Sequence, residues 1–193
     1  NGIKINDVFS IVSKFKKFKK NKPIILMGYY NMIYQYSENK FILKCKKSKV
    51  DGLIVVDLPY PENKIFSLKC KRNRINFIQL ISPTTSKLRL KKIIKDSHDM
   101  IYYISMLSTT GGKLKVSPQK ILQEYKKIKD QNKSKNIVIG FGITEKNIKS
   151  LKKADGLVVG SQICKEITNS LKKKQNPVIN VTNIVRILKN KIK

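Results

Sequence analysis

Six short runs in this chain are apolar almost from end to end: PIILMGYYN from Pro23, GLIVVDLP from Gly52, NFIQLISP from Asn76, MIYYISM from Met100, NIVIGFGI from Asn136 and GLVVGSQI from Gly156. A strand with one wet face alternates apolar and polar residues, whereas a strand covered on both faces does not. The runs therefore predict strands buried on both sides. Between them lie segments with helical spacing. Ser37 and Glu38 open a stretch with Phe41, Ile42 and Cys45 on one stripe. Pro61 opens another with Ile65, Phe66 and Leu68 as its apolar side. Ser117 and Pro118 open a third with Ile121, Leu122, Tyr125 and Ile128 in register, and Thr144 caps TEKNIKSLKK. A helix with Ile5, Phe9, Val12 and Phe15 inward precedes the first run, and NVTNIVRILKNKIK closes the chain. Strand and helix in alternation predict an α/β fold with a parallel sheet and helical crossovers.

The 193 residues, 40% of them apolar, suffice for one sizeable core, and no Gly/Ser-rich linker divides them. A formal charge of +30 raises the question of a polyanion partner. Arginine, whose fork suits base and phosphate recognition, occurs only at 72, 74, 89 and 186. Ala154 is the only alanine, so the abundant Lys, Ile and Asn read as A/T-rich codon usage loading solvent faces with lysine. A nucleic-acid binder would gather its lysines on one face; here they fall on the polar side of every helix. Cys45, Cys70 and Cys164 have no CxxC spacing and no nearby histidine, which predicts free thiols, no metal site and a reduced cytoplasmic setting. No apolar run approaches a membrane span, and no signal-peptide pattern opens the sequence.

In parallel α/β architectures the loops after the strands converge on one face, so strand ends are where binding residues are sought. Gly142 ends the fifth run and Gly160 the sixth, followed by Ser161 and a segment from Gln162 able to start a helix. Backbone N–H groups can approach an anion closely at glycine, and a helix N-terminus adds positive potential. The pair predicts a phosphate site. Of twelve carboxylates only Asp57 stands at the carboxyl end of a buried run; Asp51 and Asp155 precede strands. His98, ahead of a strand, suits loop packing. Tyr29, Tyr30, Tyr102 and Tyr103 sit at strand ends, and at most one of each adjacent pair can face an interior.

PIILMGYYNMIYQY, VDGLIVVDLP, IYYISMLSTTGG, GFGI and ADGLVVGSQI, in this order and spacing, closely resemble the alpha subunit family of tryptophan synthase. The resemblance runs from the opening helix to the closing one. It implies a (β/α)8 TIM barrel that cleaves indole-3-glycerol phosphate to indole and glyceraldehyde 3-phosphate in tryptophan biosynthesis. It also implies a beta subunit partner carrying pyridoxal phosphate, in an alpha2beta2 heterotetramer, with no cofactor in the alpha subunit itself. Carried over by motif, Gly111, Gly142, Gly160 and Ser161 hold the phosphate. Tyr29, Ile54, Tyr102 and Phe141 line the indole and glycerol pocket, Thr110 helps close the site, and Asp57 takes an interface or structural role. The loop Ser108 to Gly111 departs from the family pattern by lacking its first glycine.

A barrel of this kind has eight strands in about 250 residues, against six runs here. The expectation is one barrel domain over 1–193 comprising strands three to eight, N-terminally incomplete, with the general acid–base glutamate and its partner aspartate before residue 1. On that expectation the chain holds no catalytic carboxylate and is inactive alone. The chain begins without methionine, fitting either a removed start or a longer product. Two other readings are weighed. One is a different phosphosugar or indole-pathway barrel, which would need a strand-end Lys, Glu or His. The other is a non-catalytic alpha-like barrel that binds or activates a beta subunit.

Overall fold

The structure, a computed structural model, describes residues 2–105 and 116–193. It divides into two compact units, Asn1–Leu80 with Lys95–Met100, and Ile81–Ile94 with Ile101–Lys193. In the first unit, α1 (Ile5–Phe18) leads to β1 (Ile25–Gly28), α2 (Tyr30–Tyr36), α3 (Glu38–Ser48), β2 (Gly52–Val55), α4 (Lys64–Arg72) and β3 (Asn76–Phe77). The strands form a sheet in the order β1-β2-β3, with β1 and β2 parallel in the register Ile25 to Gly52. After β4 (Gln79–Ile81) and α5 (Lys87–Asp96) come β5 (Met100–Ile104), α6 (Pro118–Gln131), β6 (Asn136–Gly140), a 3-10 turn at Ile148–Leu151 and β7 (Gly156–Val158). Two helices end the chain, α7 (Ser161–Lys172) and α8 (Pro177–Ile192), packed on each other. The second sheet runs β4-β5-β6-β7. Among the described residues no helix is long and apolar enough to cross a membrane.

Each predicted run holds a strand, with two differences. The run from Asn76 is broken at Ile78 into β3, which pairs with β2, and β4, which pairs with β5. Gln79 is fully buried there, and Asn63 satisfies it through reciprocal amide bonds of 2.8 and 3.3 Å. Burial on both faces holds for β2 and for all of β6 but its first residue. Strands β1 and β7, each last in its sheet, are more open, and Met27 is 53% exposed.

The helices need more correction. Tyr30 does not end a strand: β1 stops at Gly28, and the Asp57 carboxylate accepts the Tyr30 N–H at 2.6 Å, capping α2 from another loop. Phe15 turns outward, while Lys16 beside it is only 6% exposed because its ammonium is bound within the fold. Helix α4 starts at Lys64, and its N-cap Asn63 turns its side chain to Gln79 and the Leu58 carbonyl. Phe66 and Cys70, four residues apart, carry its buried face with Ser67, which leaves Ile65 and Leu68 exposed, Ile65 by 71%. Thr144 caps no α-helix; its own N–H donates to Asn147 Oδ1 at 2.8 Å, and only the 3-10 turn follows. Phe41, Ile42 and Cys45 do share the buried face of α3. Burial pushes the Cys45 and Cys70 thiols up to about 12. His98 packs a loop, its Nδ1 accepting the Phe77 N–H at 2.9 Å and its Nε2 lying 3.3 Å from Ser67 Oγ.

One arrangement occurs in both units where strands begin. Lys16 on α1 donates to the Lys22 carbonyl at 2.9 Å and to Asp51, whose carboxylate also accepts the Ile24 N–H at 2.6 Å. Lys129 on α6 donates to the Lys135 carbonyl at 2.7 Å and to Asp155 at 2.8 Å, and Asp155 accepts the Ile137 N–H at 2.8 Å. In each case a lysine reaches six residues ahead, and an aspartate before the next strand holds an N–H at the start of the preceding one, that of Ile24 just before β1 and that of Ile137, second in β6. Partial burial alone would raise the Asp155 carboxyl; the Ile137 N–H and the Lys129 ammonium outweigh it and hold the group below the usual range.

A second close fit lies on β6. A Cβ built on Gly140 would meet Tyr102 Oη at 1.9 Å and Cζ at 2.3 Å, so the tyrosine ring lies across bare backbone. Tyr102 is 4% exposed, and burial raises its phenol to about 12.

Two outcomes follow from these contacts. Lys129→Met should lower the unfolding free energy by about 1–2 kcal/mol in urea titrations above pH 5. Because Asp155 titrates lower folded than unfolded, its stabilisation is complete above the unfolded value near pH 4 and is lost as pH falls through the folded one. The gap between the two chains should therefore narrow below about pH 4. Gly140→Ala should cost about 2–3 kcal/mol through the displaced Tyr102 ring. Adding Tyr102→Phe should recover only part of it, since Cζ remains in the way.

Candidate functional site

The sequence-predicted residues fall into two groups, one in each unit. In the first unit, Tyr29 and Ile54 line a common apolar cavity of about 210 Å³, together with Val8, Met27 and Phe41. Ile54 lies on fully buried β2, and Tyr29 is the exposed residue between β1 and α2. Asp57 follows β2 by two residues and is held by the N-terminus of α2.

In the second unit, β6 and β7 are parallel and paired Val138 to Gly156, Ile139 to Leu157 and Gly140 to Val158. The ladder ends at that last pair, and Gly142 and Gly160 each lie two residues beyond it. Neighbouring strands are separated by about 4.8 Å, so the two glycine turns start side by side. Phe141 and Gly142 both have left-handed backbone, with φ of +69° and +67°. A Cβ on Gly160 would meet nothing within 4 Å, so the space beside it is open. Gly160 is also the N-cap of α7, whose first residue is Ser161. The helix expected from Gln162 thus starts one residue earlier and runs for 12 residues. Its first N–H groups have no partner within the helix, and its dipole is positive at this end. Tyr102 and Phe141 meet edge to face, with ring centroids 6.2 Å apart at 86°. Thr110 and Gly111, like Ser108, lie outside the described residues.

Three polar side chains that sequence reasoning did not single out surround the β6 turn. Ser105 Oγ donates to the Gly140 and Phe141 carbonyls at 2.8 and 3.0 Å. Asn147 Nδ2 donates to the Gly142 carbonyl at 2.8 Å. Gln162 Oε1 accepts the Glu145 N–H at 2.8 Å. Ser105 stands at a strand end and was open to notice on that ground. Asn147 lies three residues beyond Thr144, a spacing at which asparagine closes a local turn. Gln162 carries no signal in the sequence, because its partner comes from another loop.

A turn with two left-handed residues, an adjacent open glycine and a helix N-terminus can receive an anion through backbone N–H groups. The apolar cavity of the first unit can receive a flat hydrophobic group. Comparison with known proteins follows the same line. The family model described as tryptophan synthase alpha chain matches residues 1–193. The tryptophan synthase alpha chain of Pelagibacter ubique is 76% identical over 192 residues, which is 100% of this chain and 72% of that one. That of Cyanidium caldarium is 39% identical over 148 residues, covering 76% and 54%. Among solved structures, tryptophan synthase subunit alpha from Legionella pneumophila superposes with a TM-score of 0.89 at 30% identity, over 99% of this chain and 70% of that one. The tryptophan synthase complex from Pyrococcus furiosus gives 0.81 at 30% identity, over 98% and 75%. The fold is therefore the α/β architecture of these (β/α)8 barrels. With the whole described length matched and the glycine turns in place, the chain belongs to the tryptophan synthase alpha chain family.

Proposed function

We propose that this chain carries out the alpha reaction of tryptophan synthase, the retro-aldol cleavage of indole-3-glycerol phosphate to indole and glyceraldehyde 3-phosphate. The observation that carries the reading is that glycine turns follow the paired ends of neighbouring β6 and β7, with Gly142 left-handed and the space beside Gly160 open. In this reading Gly111, Gly142, Gly160 and Ser161 bind the phosphate, and Thr110 closes over the substrate. The resemblance assigns Tyr29 and Ile54 in the first unit, and Tyr102 and Phe141 in the second, to the indole and glycerol portions. Asp57 serves structure or subunit contact, as its bond to the α2 N-terminus supports.

Cleavage requires that indole C3 gain a proton while the glycerol hydroxyl next to it loses one, so that the bond between the two carbons breaks and an aldehyde forms. Two groups with opposite duties must stand on the reacting atoms. We place both upstream of Asn1, with residues 1–193 forming strand–helix units three to eight of a single barrel domain. The chain covers 72% of the Pelagibacter relative, so that relative is longer than residues 1–193. Residues 1–193 then bind and orient the substrate but do not transfer its protons. The partner is a beta subunit carrying pyridoxal phosphate, in an alpha2beta2 assembly in the cytoplasm. The Pyrococcus complex supports the association.

Two measurements test this. Gly160→Leu fills open space without a positive φ, so its Tm should change little while binding of glyceraldehyde 3-phosphate by calorimetry weakens tenfold or more, about 1.4 kcal/mol. Unchanged binding would overturn the phosphate assignment. Residues 1–193 supplied with indole-3-glycerol phosphate should release no indole above background. Sustained release would place proton transfer inside this stretch, with Asp57 the first carboxylate to replace.

A further inference from the structure

Left-handed backbone costs a glycine little, but a phenylalanine adopts it only where its surroundings insist. At Phe141 and Gly142 the surroundings are identifiable. The buried Ser105 shares its hydroxyl proton between the carbonyls of Gly140 and Phe141, and its N–H reaches the Gly140 carbonyl at 3.1 Å. Asn147 donates to the next carbonyl, that of Gly142, and accepts from the Thr144 N–H. Three successive carbonyl oxygens, each repulsive to an anion, are thus occupied by side-chain donors. Gln162 then accepts the Glu145 N–H, joining this loop to the second residue of α7. No regular secondary structure makes that last link.

We propose that Ser105, Asn147 and Gln162 are positioning residues of the anion site. Ser105 and Asn147 occupy the carbonyls of the β6 turn, and Gln162 sets the spacing between that turn and the first turn of α7. This rests on the phosphate reading above. An anion held between two separate backbone segments is sensitive to their spacing, because hydrogen bonds weaken steeply as geometry departs from linear. None of the three side chains needs to touch the ligand. Their effect is selective: binding through phosphate depends on them and binding through the indole ring does not.

The test compares Gln162→Met, Asn147→Leu and Gly160→Leu with the unaltered whole chain, titrated with inorganic phosphate, glyceraldehyde 3-phosphate and indole. Gln162→Met keeps the side-chain length and loses the acceptor. It should raise the Kd for both phosphate ligands about fivefold, as expected for one lost hydrogen bond, leave the indole Kd unchanged and shift Tm by no more than about 2 °C. Amide exchange at Glu145 should quicken. Asn147→Leu should weaken phosphate binding by a similar factor, and the double variant by less than the product of the two, because both act on one loop. If Gly160→Leu abolishes phosphate binding while Gln162→Met and Asn147→Leu do not change it, the positioning role is wrong and the phosphate site stands. If Gly160→Leu leaves phosphate binding intact, or the unaltered chain binds none, the phosphate reading fails and this inference with it. Loss of indole and phosphate affinity together, or a variant that does not fold, would show a general structural role and overturn the selective one.

Discussion

Parallel neighbouring strands cannot be joined by a tight turn, so the chain must leave the sheet, cross over and return to the same edge. The pairings of β1 with β2 and of β6 with β7 obey this rule, and it sorts the residues of each unit by function. In the pairs β1–β2, β2–β3 and β6–β7 the strand starts lie on one side and the strand ends on the other. At the starts, the N–H groups of Ile24, just before β1, and of Ile137, second in β6, are met by side chains. Asp51 and Asp155 accept these groups, and Lys16 and Lys129 hold the aspartates and the incoming chain. The same solution in both units marks a repeated unit that overall sequence similarity does not display.

At the opposite ends the backbone polar groups are arranged differently. After β6 the carbonyls of residues 140 to 142 are taken by side-chain donors, and after β7 the N-terminus of α7 presents N–H groups. The starts are thus tied by ion pairs, whereas at the ends Asp57 meets the N-terminus of α2 and the positive end of the α7 dipole lies beside the open space at Gly160. Such a division suits a barrel enzyme, with stability at one face and ligand chemistry at the other. The strained φ of Phe141 belongs to the second category and is held by Tyr102 of β5, packed on Gly140, and by Ser105 just after β5, bonded to the turn.

Much of this could be read from residue order. The apolar runs are long enough and unbroken enough to give every strand, because burial on two faces leaves no room for polar alternation. The glycines at 142 and 160 could be noticed because they end such runs. Helix faces were less legible. Lys16 looked like a solvent-facing charge and is buried, since its partner Asp51 lies far along the chain. Ile65 and Leu68 looked like a core stripe and are exposed, since Phe66 and Cys70, four residues apart, carry the buried face of α4. Tyr30 looked like a strand residue and starts a helix, because a carboxylate two residues beyond β2 caps it.

Local pattern alone therefore determined the alternation of strands and helices, the parallel sheets and the candidate anion turns, because periodicity and glycine placement act over a few residues. Which side of a helix is covered, which strand end is capped and how the two glycine turns are braced were decided only by tertiary structure. Those outcomes depend on single hydrogen bonds between residues distant in sequence, such as Gln162 to Glu145 and Asp57 to Tyr30, and no local pattern encodes a partner that only folding supplies.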